Sequence, residues 1–181
     1  MPKLNWKDIN ETTEGNYERI EPNGYVLMIT AMEDVPEKQY VRLGYDIAEG
    51  EHQGFYSDDY YADKPWSHSV AMSYKESAYG MLKARLTRIQ ESNAGFDPFA
   101  AFDADNWQAF IGKQFGGLIG EEEYKANDGS IKTSMKLRTF KSVADIKSGN
   151  FEIPKIKKLK GASNATQTQA QPYNDDEIPF L

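Results

Sequence analysis

Two parts of this sequence supply an aromatic ring and positive charges at the spacing of a strand. Tyr40 and Arg42 are two positions apart, and Lys132, Lys136 and Arg138 are separated by four and two positions. A flat ring stacks on a nucleobase, and a lysine or arginine pairs with a phosphate, so this combination suits an unpaired nucleic-acid chain. Each stacked base contributes roughly 1–3 kcal/mol, so a few such residues are enough for useful affinity.

A further set of rings lies between these two parts. The stretch 55–66 is rich in phenylalanine and tyrosine and ends in a tryptophan. The candidate stacking residues in it are Tyr56, Tyr60, Tyr61 and Trp66. Whichever of Phe55 and Tyr56 points inward is expected to belong to the core.

The residue types that carry most enzymatic chemistry are sparse. The chain has no cysteine, so it has no thiol nucleophile, disulfide or zinc thiolate site. His52 and His68 are the only histidines, and neither lies in a metal-binding spacing. The sequence 112–114 (GKQ) lacks the hydroxyl residue and the upstream glycine spacing of a phosphate-binding loop. We therefore expect a protein that is not an enzyme and that needs no metal or cofactor.

One alternative keeps an enzymatic function open. Asp58, Asp59 and Asp63 would supply half of a carboxylate site for a metal-dependent nuclease. We interpret them as acids of a surface loop, and cleavage with magnesium that depends on Asp58 or Asp59 would reverse that interpretation.

The elements that must position the candidate residues follow from hydrophobic periodicity. The predicted strands span residues 25–32, 39–48, 54–61, 114–124 and 131–140, and the long helix spans 75–92. Strand 39–48 alternates, with apolar residues on one face and Tyr40, Arg42, Gly44 and Asp46 on the other. Strand 131–140 alternates in the same way and places Lys132, Ser134, Lys136 and Arg138 outward.

Shorter signals place the ends and turns. The sequence 93–95 (NAG) should end the helix, and 127–129 (NDG) should form a hairpin turn. The glycines of strand 114–124 indicate a bend or a bulge. Ser142 is expected to cap a short helix that Gly149 ends, and a short turn of helix is expected over 107–111.

The charge is unevenly distributed. The net charge is -7, which argues against simple non-specific adhesion to nucleic acid. However, residues 131–160 contain nine lysines or arginines and two acids. The total charge therefore hides a strongly basic segment.

The last residues have the composition of a tethered ligand. A linker without charged side chains, 161–173, precedes an acidic and apolar tip made of Asp175, Asp176, Glu177, Ile178, Pro179 and Phe180. The linker is too polar to offset its chain entropy by burial, so we expect it to be disordered. The tip is then a peptide for a partner's pocket, and the alternative is an acidic end that only keeps the chain soluble.

This tip resembles the tails of bacterial single-stranded DNA-binding proteins, which close with an acidic run and Ile-Pro-Phe. Here Leu181 follows Phe180. The resemblance implies that the tail recruits replication and recombination proteins.

The rest of the chain also resembles a known family. Three strands, a helix and two strands is the element order of a five-stranded oligonucleotide-binding (OB) barrel, a mainly β fold with its helix between strands 3 and 4. The sequences 89–96 (IQESNAGF), 120–124 (GEEEY) and 151–159 (FEIPKIKKL) are similar to those of small bacteriophage replication-module proteins. That resemblance implies single-stranded DNA binding.

These observations predict three regions: an N-terminal arm (1–23), an OB-fold domain that binds single-stranded DNA (24–160), and a disordered linker with an acidic tail (161–181). The alternative is a protein-binding adaptor, such as a helicase loader or recombination mediator, with little DNA contact. No membrane segment or signal peptide is expected, which predicts the cytoplasm of the host cell. Whether the chain self-associates is left open.

Overall fold

The computed structural model describes residues 19–160 and contains a five-stranded antiparallel sheet with helices around it. Its strands are β1 (Asn23–Val35), β2 (Tyr40–Ile47), β3 (Ser69–Ser73), β4 (Gln114–Lys125) and β5 (Ile131–Lys141). Its helices are α1 (Asp59–Ala62), α2 (Tyr79–Ser92), α3 (Pro98–Asp103) and α4 (Val143–Ser148). Short 3-10 turns cover Pro36–Lys38, Phe55–Ser57, Pro65–His68, Glu76–Ala78 and Trp107–Phe110. None of the helices within 19–160 has the length and apolarity needed to cross a membrane.

The strand order in the sheet is β3-β2-β1-β4-β5, and every pairing is antiparallel. The prediction of a mainly β domain with a long helix between the third and fourth strands is confirmed. The prediction of a closed sheet is wrong for residues 19–160, because no ladder joins β3 to β5.

The core lies on one face of the sheet. The inward positions of β1, β2 and β4, such as Leu27, Leu43 and Phe115, are fully buried, and α2 adds Leu86 and Ile89. Tyr45 of β2 is also buried, and that burial raises the pKa of its phenol. A hydrogen bond with the backbone of Leu137 of β5 acts in the opposite direction and lowers this pKa less than burial raises it. β2 and β5 therefore contact each other across the core. Ile20, which precedes the boundary predicted at Gly24, belongs to the same core.

The predicted third strand over 54–61 is wrong. These residues form the Phe55–Ser57 turn and α1, and β3 lies further along the chain. The sequence itself contains the reason: its rings occur as adjacent pairs, whereas the side chains of a strand alternate between two faces. Phe55, Tyr56 and Tyr61 instead pack into one aromatic cluster, with ring centroids 5.0–5.2 Å apart.

Asp46 holds this irregular backbone in place. Its buried carboxylate accepts hydrogen bonds from the backbone N–H groups of Ile47 (2.7 Å) and Tyr56 (2.9 Å) and from the Ser57 hydroxyl. Asp58 then caps α1 by accepting from the Tyr60 N–H. The acid that the alternation pattern placed outward on β2 is therefore a structural group.

The long helix begins four residues later than predicted, at Tyr79, and its end is as predicted. Asn93 fixes that end: its amide nitrogen donates to the carbonyls of Ile89 and Gln114, both at 2.7 Å, and its amide oxygen accepts from the Gln114 N–H at 3.0 Å. The last turn of α2 is therefore joined to the first residue of β4.

A bend or a bulge was predicted within β4; the register of β4 with β5 does shift between Leu118 and Ile119, but the additional residue is Arg138 of β5. The glycines of β4 instead make room for neighbouring segments. A Cβ at Gly116 or Gly120 would lie only 2.6 Å from Ile146 or 2.8 Å from Pro154, respectively. These glycines let α4 and the closing segment approach the outward face of β4. The predicted hairpin turn, the Ser142 cap and the Gly149 helix end are confirmed.

Candidate nucleic-acid interface

The outward face of β5 carries the three cations that the alternation predicted. Lys132 pairs in register with Tyr124 of β4, and Lys136 pairs with Gly120. The Arg138 side chain lies over Gly120, so it shares the same face. Met135 and Leu137 point the other way and pack against the core, so this predicted division of β5 into two faces is confirmed.

Glu122 of β4 lies among these cations and was not anticipated. Its carboxylate is 3.8 Å from Arg138 Nε and 3.7 Å from Lys157 Nζ. Burial lowers the pKa of Lys136, and the negative charge of Glu122 acts in the opposite direction. Three positive groups thus surround one acid on this face.

The basic closing segment, residues 151–160, lies against β4 and is called the strap below. Its Lys157 N–H donates to the Glu121 carbonyl, and its Lys157 carbonyl accepts from the Glu123 N–H, both at 2.9 Å. The Leu159 N–H donates to the Glu123 carboxylate at 3.0 Å, and Arg138 donates to the Lys155 carbonyl. The strap continues the basic face of β5 with exposed lysines: Lys155, Lys157, Lys158 and Lys160.

Two of the predicted rings are exposed on the stretch 55–68, called the connector below. Tyr60 is 54% exposed and Trp66 is 43% exposed. The Lys64 ammonium lies 4.2 Å from the Tyr60 ring centroid and also bonds to Asp63 at 3.0 Å. Tyr61 is half-buried in the aromatic cluster. Tyr56 is buried, so it takes the core position that the sequence left open for Phe55 or Tyr56, and its ring is not presented for stacking on a base.

The connector reaches the basic strand through its last turn. Cα atoms of Pro65–His68 lie within 8 Å of Cα atoms of β5. His68 anchors this turn by stacking on Tyr56, with ring centroids 5.2 Å apart. Burial lowers the pKa of His68, and the charge of Asp46 acts in the opposite direction. The Pro65–His68 turn, with its exposed Trp66, therefore lies near β5.

The outward face of β2 does not have the predicted character. Tyr40 is only 3% exposed, so the prediction that it points into solvent is wrong. Arg42 forms an ion pair with Glu33 of β1 at 2.8 Å. Since β1 and β4 lie between β2 and β5, the sheet does not place Tyr40 and Arg42 beside the β5 cations.

Tyr124 is a residue that the sequence analysis missed. Its ring is 41% exposed opposite Lys132, on the outward face of the β4–β5 hairpin. The hairpin turn was predicted correctly, and pairing the two strands residue by residue from that turn places Tyr124 opposite Lys132. Glu122 and Lys157 had no comparable signal, because their contact depends on the strap returning to β4.

The arrangement supplies the two kinds of group that an unpaired nucleic acid needs. The cations of β5 and the strap can pair with phosphates, and Tyr60, Trp66 and Tyr124 present ring faces for bases. In residues 19–160 no group of three or more histidines, aspartates or glutamates is arranged to hold a metal ion. The predicted tail, 175–180, lies outside the described residues.

The chain matches no protein-family model and no curated protein.

Proposed function

We propose that this chain is a non-catalytic single-stranded DNA-binding protein whose sheet is a partly open OB fold. Five antiparallel strands and a helix between the third and fourth strands support the fold. An OB fold is itself described as a partly open barrel, so the missing β3–β5 ladder is compatible with it.

The observation that carries the function is the cation face of the β4–β5 hairpin, where Lys132, Lys136 and Arg138 share one face with the exposed ring of Tyr124. The Pro65–His68 turn, which exposes Trp66, also lies near β5. Phosphates following β5 would place bases beside Tyr124, and Trp66 would supply a second ring for a neighbouring base. Affinity then arises from charge and stacking without reading sequence.

The resemblance to bacteriophage replication-module proteins supports a role in DNA replication or recombination. The protein would coat exposed single strands, and residues 175–180 would recruit partner proteins. The domain would then bind the DNA, and the tail would bind the partner protein.

A second candidate function is a protein-binding adaptor. Two isoleucines of the strap favour it, because Ile153 is 60% exposed and Ile156 is 42% exposed. Exposed aliphatic side chains beside lysines suit an acidic, apolar protein surface better than a nucleobase. In this case the protein would bind its partner with little contact to DNA.

One experiment separates the two functions. Fluorescence anisotropy with labelled oligo-dT and with a duplex of the same length, over a salt series, should show tight binding of oligo-dT that weakens steeply with salt. The slope of log K against log salt should be about -0.7 for each phosphate contact. Negligible binding of both probes would support the adaptor, and equally tight binding of both would reject the preference for single strands.

A truncated chain tests the role of the tail. Without residues 175–181 the protein should bind oligo-dT as tightly as the full chain or more tightly, and should lose its protein partners in a pull-down. Partner capture that survives the truncation would reject the recruiting role while leaving DNA binding intact.

A further inference from the structure

Glu122 is the centre of a charge cluster on the outward face of β4. Its carboxylate faces Arg138 of β5 and Lys157 of the strap, and its charge acts on Lys136. The three cations come from two elements that are distant in sequence and are brought to one point by β4. Positive charges that converge in this way repel one another, and Glu122 offsets part of that repulsion.

The contacts between Glu122 and these cations are loose. At 3.7 and 3.8 Å they are longer than a hydrogen bond of about 2.7–3.2 Å, whereas the Arg42–Glu33 pair is at 2.8 Å. The carboxylate is also partly exposed, with 29% of its side-chain surface accessible. A partly exposed ion pair contributes little to stability, so little free energy holds the Glu122 carboxylate against a competing anion.

We propose that Lys136, Arg138 and Lys157 form a subsite for one phosphate of a nucleic-acid backbone, and that Glu122 occupies this subsite until the phosphate displaces it. The inference rests on the proposed function. A phosphodiester is larger than a carboxylate and carries its charge on tetrahedrally placed oxygens, so it can contact cations that a carboxylate only approaches. Arg138 is already held by its bond to the Lys155 carbonyl, so the subsite needs little rearrangement.

The surroundings favour a nucleic-acid phosphate over a free anion or an acidic peptide. Tyr124 lies two residues from Glu122 on the same face and exposes its ring beside Lys132. A base attached to the bound phosphate could therefore stack on the ring of Tyr124, at the next outward-facing position of β4. The lowered pKa of Lys136 fits a cation that gains from an incoming negative charge.

The test compares Glu122→Gln with Glu121→Gln. Both variants remove one negative charge from neighbouring residues of β4, but Glu121 points to the opposite face of the strand. Glu122→Gln should bind oligo-dT roughly three- to fivefold more tightly than the parent protein at low salt. For Glu122→Gln the slope of log K against log salt should also steepen by up to about 0.7. Glu121→Gln should change the affinity and this slope much less.

The side-chain NMR signal of Arg138 provides a readout that does not depend on DNA. Titration with tripolyphosphate should shift this signal, and Glu122→Gln should strengthen that effect. Failure of the parent protein to bind oligo-dT, with the tripolyphosphate effect retained, would reject the proposed function but keep an anion subsite. Equal behaviour of the two variants, or weaker binding by Glu122→Gln, would overturn the subsite.

Discussion

The outward faces of β2 and β5 have similar patterns in the sequence and different environments in the structure. Both strands alternate cleanly, and both place polar or cationic residues opposite the core. On β2 that face is largely closed: Tyr40 and Asp46 are buried, and Arg42 bonds to Glu33. On β5 the cations remain partly accessible and are joined by the lysines of the strap.

The position of each strand in the sheet explains this difference. β2 has a neighbouring strand on both sides, and Asp46 near its end accepts hydrogen bonds from the connector. β5 is an edge strand within the described sheet. Lysines on an edge strand also prevent unwanted strand pairing, so charge alone does not identify a binding face. The neighbouring rings and the strap distinguish β5, and four experiments test that distinction.

Tyr40→Ala should have the largest effect, and it should act on stability rather than on binding. Removal of a buried aromatic side chain costs about 3–5 kcal/mol of unfolding free energy. Urea denaturation should show a lower midpoint, and the folded fraction should retain its affinity for oligo-dT. A stable variant with weak binding would return Tyr40 to the interface. Tyr79→Ala is the control, since that ring is 58% exposed on α2.

Replacement of Lys132, Lys136 and Arg138 together by glutamine should weaken oligo-dT binding about 100-fold at low salt. Each lost phosphate contact costs roughly 1 kcal/mol, and about 1.4 kcal/mol corresponds to a tenfold change in affinity. A matched triple variant, with Lys38, Arg42 and Lys83 changed to glutamine, removes the same charge elsewhere. Similar losses in both proteins would show that net charge, and not the β5 face, controls the affinity.

Trp66→Ala should weaken oligo-dT binding about tenfold through the loss of one stacked base, at roughly 1–3 kcal/mol per ring. The thermal midpoint should change little, because the ring is largely exposed. Quenching of tryptophan fluorescence by oligo-dT in the parent protein, and its reduction in the variant, give a direct readout. An unchanged affinity would confine the interface to β5 and the strap.

Lys136→Met should have the smallest effect and should move stability and binding in opposite directions. Burial of the Lys136 ammonium lowers its pKa, so the charged form costs free energy in the folded state. The apolar replacement should therefore raise the thermal midpoint and should weaken oligo-dT binding several-fold. A loss of stability would mean that the ammonium supports the fold and is not kept for binding.

Much of the fold could be predicted from periodicity and turn chemistry. The alternation of β5, the Asn127–Gly129 turn and the Ser142 cap are local signals, and each one corresponds to an observed element. The strand predicted over 54–61 is wrong because aromatic content alone does not make a strand; the side chains must also alternate between two faces. β3 was missed because its five residues are too few for a clear period.

The candidate site was only partly predictable for a different reason. The cations of β5 belong to one continuous strand, so their shared face follows from spacing alone. The burial of Tyr40 and the arrival of Lys157 beside Glu122 depend on segments that meet only in three dimensions. The tail and the linker lie outside the described residues, so the recruiting function of residues 175–180 stays a prediction.

The β1–β4 ladder has a consequence for how the domain acquires its structure. It pairs Leu27 with Phe115, so the centre of the sheet must wait for a strand from the far end of the domain. Closing so long a loop is entropically costly, and folding slows as contacts become less local. During synthesis, β1, β2 and β3 therefore leave the ribosome before the strand that pairs with the second edge of β1. The nascent chain cannot complete its sheet until β4 has also left the ribosome.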